Sequence, residues 1–103
     1  MVKEIETIQI DWNTLSNLQD CESHYDKATD TLLIQSKEAR PAVSVDCDGD
    51  FWIRVDPHSG EILGVEIEDF KKVFLKRYAK LFKGDDIYIR PVANIIQMEK
   101  CPA

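Results

Sequence analysis

The sequence predicts an α+β domain: an antiparallel β-meander sheet of four to six strands, one amphipathic helix packed on one face, and a short N-terminal helix. Two observations carry that prediction. Apolar residues alternate in the middle of the chain, at Val43, Val45 and Cys47, at Phe51, Ile53 and Val55, and at Leu63, Val65 and Ile67. That is the period of a strand with one buried face. After Glu68 the period lengthens, and Phe70, Val73, Phe74, Tyr78 and Leu81 recur as the core stripe of a helix over 69–83.

The elements follow in order. Met1 to Ile10 reads as a strand or arm. Asp11 is placed to cap a short helix whose Trp12, Leu15 and Leu18 share a face. Tyr25-Asp26 and Thr31 to Ser36 flank the polar turn Lys27 to Asp30 as a hairpin. Lys37 to Pro41 is a connection, since a proline cannot donate to a ladder. Opposed residues in a sheet point to the same face, so the loop at Asp48-Gly49-Asp50 either has odd length, with Cys47 opposite Phe51, or carries a compensating bulge. A two-residue Asp-Gly turn would put Asp46 on the apolar side instead. Asp56-Pro57-His58-Ser59-Gly60-Glu61 is the next hairpin turn, with Gly60 at a positive φ. In the 69–83 helix, acids lie at the start, Arg77, Lys80 and Lys83 toward the end, and Gly84 is placed to close it. Asp86 to Arg90 reads as a further strand stopped by Pro91, and Val92 to Met98 is apolar without an assignable period.

Composition narrows the class. The chain has 103 residues, 44% hydrophobic and 31% charged, the proportions of one folded domain. That domain would have a hairpin and helix core over 24–75 and flanking arms at 1–23 and 85–103. A formal charge of -6 makes nucleic acid a poor partner. No apolar run is long enough for a signal peptide or a membrane span. The three cysteines, Cys21, Cys47 and Cys101, lack any C-x-x-C spacing and read as reduced thiols. The expected location is the cytoplasm.

Tyr25, Asp26, Asp30, Leu32 and Ile34 form Y-D-x-x-x-D-x-L-x-I. Gly60, Ile62, Gly64, Val65, Glu66 and Ile67 form G-x-I-x-G-V-E-I ahead of the helix. Together, over about residues 24–75, these motifs resemble the DUF2283 family of small bacterial and archaeal proteins. The resemblance implies a compact β-hairpin module and carries no activity onto any residue. Asp26 and Asp30 suit a turn, Gly60 a positive φ and Gly64 a close approach within the sheet.

Candidate chemistry is sparse. Asp46, Asp48, Asp50 and Asp56 begin like a calcium loop, but Phe51 and Pro57 stand where an EF-hand needs glycine and glutamate. With His58, these acids are the basis of one alternative, a small metal-dependent hydrolase or nuclease. A solvated hairpin tip is the favoured reading, with no metal, no cofactor and no catalytic residue assigned. Cys47 belongs in the core, away from any group that would activate a thiolate. Lys72, Lys76, Lys80 and Lys83, with Lys71 and Arg77, make a basic helix face that reads as solvated.

The most informative surface is the other side of the sheet. The helix should cover the face of Val45, Ile53 and Val65, leaving Asp46, Trp52, Arg54 and Glu66 pointing away, with Trp52 near Gly64. Burying such an aromatic is worth roughly 2–3 kcal/mol. Something should therefore cover Trp52: the chain's own ends, through Trp12, Leu15 and Leu18 or Ile87 and Ile89, or secondly a homodimer through the same face. The functional expectation is a non-catalytic binding or protein-interaction module. A further alternative is an antitoxin-like acidic partner of a basic protein.

Overall fold

The computed structural model describes residues 9–47, 51–82 and 88–99. Asp11 caps the first helix by accepting a hydrogen bond from the Asn13 N–H at 3.1 Å. That helix, Trp12–Asp20, has 3-10 geometry. The geometry matches the three-residue spacing of Trp12, Leu15 and Leu18, because a 3-10 turn brings every third side chain back to one line. Leu15 and Leu18 are buried.

Five strands follow: β1 (Glu22–Asp26), β2 (Thr31–Gln35), β3 (Val43–Cys47), β4 (Phe51–Val55) and β5 (Ile62–Ile67). They form an antiparallel sheet in the order β1-β2-β5-β4-β3. The predicted class therefore holds. The meander itself covers β3, β4 and β5, while the β1–β2 hairpin joins along β5. The connection over 36–42 runs from the centre of the sheet to its far edge. Cys47 stands opposite Phe51, the odd-length option that face parity allows. Gly60 has φ +77°, and a Cβ there would collide with the Gln9 carbonyl. A Cβ on Gly64 would strike the Ile34 carbonyl, so glycine is what allows β5 to lie this close to β2.

One inward position differs from expectation. Arg54 pairs with Gly64 but Val55 pairs with Ile62, so Leu63 is the extra residue of a bulge. Ile62 takes the inward place and is fully buried. Leu63 is buried outside the main core cluster, lining a depression with the 36–42 connection.

The 69–83 segment is helical but not one regular helix. Asp69 has φ +52°, and Phe70–Phe74 form a π-turn in which the Leu75 N–H donates to the Phe70 carbonyl. α1 (Leu75–Arg77) and α2 (Ala79–Phe82) follow, separated by the non-helical backbone of Tyr78. The wider turn and this break rotate the stripe. Phe70, Phe74 and Phe82 are buried, whereas Val73 and Leu81, expected inside, are 45% and 42% exposed. Lys83, Gly84 and Ile87 lie outside the described residues.

Of the expected strand over 86–90, Tyr88 to Arg90 are described, and Ile89 and Arg90 are helical instead: α3 spans Ile89–Glu99. Pro91 lies in the first turn of α3, where its missing N–H has no intrahelical partner to lose. Val92, Ile95 and Ile96 are buried at helical spacing.

The sheet side chains Ile34, Phe51, Ile53, Val55, Ile62 and Val65 belong to one cluster with Leu15, Leu18, Phe70, Phe74, Phe82 and the buried side chains of α3. Helical residues from both ends thus gather on the same side of the sheet. Two substitutions probe this packing by urea denaturation. Ile53→Ala should cost about 2–5 kcal/mol, the range for emptying a packed core site. Val73→Ser should stay within about 0.5 kcal/mol, as a surface change.

Candidate interaction surface

Strand register decides which residues share the uncovered side. His24 pairs with Leu33, Leu33 with Glu66, Glu66 with Trp52, and Trp52 with Asp46. These five residues form a continuous row across all five strands. A second row runs through Glu22, Gln35, Gly64, Arg54 and Ser44. Asp46, Trp52, Arg54 and Glu66 thus share one face. The residue opposite Gly64 is Arg54, while Trp52 sits diagonally from it. His24 and Leu33 complete the row beyond the four residues expected there, and the signal for Leu33 is its place between the inward Leu32 and Ile34.

Trp52 is half-buried and does not belong to the core cluster. Among the described residues, those expected to cover it lie elsewhere, and Ile87 is outside the described residues. Leu15 and Leu18 lie in the core cluster, and Trp12 and Ile89 pack against it. Beside the row, His24, Leu33, Arg54, Glu66 and Glu68 line a shallow depression of about 750 Å³. Arg54 makes no ion pair among the described residues. The surface offers an aromatic ring, an aliphatic neighbour and charges of both signs, the makings of a protein contact.

Among the described residues the acidic hairpins do not assemble into a centre. Asp46 sits opposite Trp52, and Asp56 lies four residues further along the chain from Trp52, roughly 13 Å at strand rise. Asp48 and Asp50 lie outside the described residues. The Asp56 carboxylate accepts from the backbone N–H of His58 at 2.8 Å and of Ser59 at 3.1 Å. Arg40 donates to Asp56 and to Glu61, both at 3.0 Å. These bonds, the His58 N–H first, hold the Asp56 carboxyl below its usual range. Among the described residues no three His, Cys, Asp or Glu side chains are grouped to hold a metal ion. Lys72, Lys76 and Lys80 are exposed. Cys21 is a half-buried free thiol pushed above its ordinary value by burial, and Cys47 is buried, its Sγ 3.8 Å from the Val45 carbonyl oxygen.

Asp30 lies in the expected turn and has a further role. It holds φ +56° and is largely buried. Its carboxylate accepts from the Tyr25 hydroxyl at 2.6 Å, the Lys71 N–H at 2.9 Å and the Lys72 N–H at 3.1 Å. Its carbonyl accepts from the Phe70 N–H at 2.8 Å. Asp30 is therefore a cap, supplied from a distant hairpin, for the first helical turn. The Lys71 ammonium closes the arrangement 4.7 Å from the centre of the Tyr25 ring.

Residues 23–71 match the family described as Protein of unknown function (DUF2283). The chain resembles that family over this segment, just under half of its length. The DUF2283 segment runs from β1 to Lys71, the residue whose N–H reaches Asp30, and so encloses both halves of this cap. No curated protein and no solved structure matches the chain.

The cap makes stability pH-dependent at both extremes. Hydrogen bonds, first that from Tyr25, lower the Asp30 pKa, so its contribution is present above the ordinary carboxylate value of 3.8 and is lost as pH falls through the lowered folded value. The bond to Asp30 raises the Tyr25 pKa from 10.0 to about 12, so that contribution is complete below pH 10 and is lost as pH rises toward 12. In melting temperatures measured across pH, Asp30→Asn should flatten the acid limb and Tyr25→Phe the alkaline limb.

Proposed function

We propose that this chain is a non-catalytic binding module that engages a protein partner through the open face of its sheet. The observation that supports this reading is the one-sided cover: helical residues pack on one side, leaving Trp52 between Glu66 and Asp46 on the other, with Leu33 in the same row beyond Glu66. A half-buried tryptophan on such a face is an anchor of the kind that dominates protein contacts. The flanking carboxylates suit a partner carrying cations there, in keeping with the charge of -6. No helix among the described residues is long and apolar enough to cross a membrane. The free thiol of Cys21 accords with action in the reducing cytoplasm.

The test compares tagged full-length chains recovered from the cells that naturally make the protein. The wild type and Lys76→Glu should retain the same partner, and Trp52→Ser should lose it while keeping a native melting profile. A partner held equally by Trp52→Ser would contradict the reading. Heat on titration with Mg²⁺, Mn²⁺ or Ca²⁺ that disappears in Asp56→Ala would instead favour the metal-dependent alternative.

A further inference from the structure

The two edges of the sheet are finished differently. β1 carries Glu22, His24 and Asp26 along its outward side, and its inward Tyr25 is held by Asp30 beneath the Lys71 ammonium. Charges of this kind discourage a further strand from adding to an edge. β3, at the other edge, reads Val-Ser-Val-Asp-Cys, with no lysine, proline or bulge in its pairing with β4. Among the described residues the core cover reaches Cys47 but thins along the strand toward Val43. Val55 and Ile53 on β4 are fully buried, yet Val43, opposite Val55, is 36% exposed, and Val45, opposite Ile53, is only half-buried.

From this edge we infer that a second copy of the chain pairs with β3, antiparallel, joining two five-stranded sheets into one of ten. The strand is complementary to itself about Val45. With the two-fold axis there, Val45 faces its own copy, Val43 faces Cys47, and Ser44 faces Asp46. The inward side is then apolar in every pair, and the outward side sets no like charges directly opposite each other. An axis at Asp46 would oppose two carboxylates. The copy adds backbone bonds and covers Val43 and Val45, which the chain's own helices leave open. Each copy carries a formal charge of -6, so mutual repulsion makes the pairing tighten as salt is added. This inference uses the sheet edge and stands apart from the proposal for the Trp52 face.

Sedimentation equilibrium of the full chain at rising protein and salt concentration tests it. The wild type should form a dimer that strengthens with salt. Val43→Lys, at an exposed position, should weaken dimerisation by more than roughly tenfold without changing the circular dichroism spectrum. Trp52→Ser should leave it unchanged. Val45→Cys should trap the dimer as a disulfide under mild oxidation, whereas Ser23→Cys on the β1 edge should not. A wild-type chain that stays monomeric at high salt would overturn the inference. So would a dimer abolished by Trp52→Ser and untouched by Val43→Lys.

Discussion

The arrangement depends on a carboxylate at the end of a hairpin. Asp30 collects the Tyr25 hydroxyl and the Lys71 and Lys72 amides, while its carbonyl takes the Phe70 amide. Those amides begin a helical segment and would otherwise lack partners. The single residue thus sets where the chain turns from strand to helix and on which side of the sheet it continues. Phe70 sits directly on that anchor. Its ring meets Tyr25, Phe74, Phe82 and Tyr88 at centroid distances between 5.0 and 6.1 Å, so the cap also seeds the aromatic part of the core.

Once that segment lies on one side, the alternation of the strands does the rest. Every residue beside an inward Ile53 or Val65 must face outward. The N-terminal 3-10 helix and α3 join the covered side, because their own apolar stripes need the same core. The result is a sheet with one dry face and one open face. The proposed function rests on the open face because Trp52 lies there, outside the core cluster that the inward residues build.

Much of this was legible in the residues, and the gaps have physical causes. Strand period and face parity suffice to put Cys47 and Phe51 on one face and Gly60 in a left-handed turn. They do not reveal the bulge, because Ile62 and Leu63 are both apolar and either could point inward. The 69–83 stripe places Phe70 and Phe74 correctly but misplaces Val73 and Leu81. An α-helical period assumes regular turns, and neither the π-turn nor the break at Tyr78 has a composition of its own. Pro91 looked like a strand terminator, although the first turn of a helix accepts proline equally well. Asp30 sat in a run of turn-forming residues, so its local setting hid a role that depends on amides some forty positions away. The Trp52 face was legible as a set, yet what lies above it depends on long-range packing that periodicity does not encode.

The central claim is that the two faces of the sheet differ in their access to solvent. Residue-resolved NMR with a soluble paramagnetic probe measures that difference directly. The account predicts strong broadening of side-chain signals from Leu33 and from the Trp52 indole, with Ile34, Ile53 and Val65 protected. Equal protection of Trp52 and Ile53 in the monomer would contradict it.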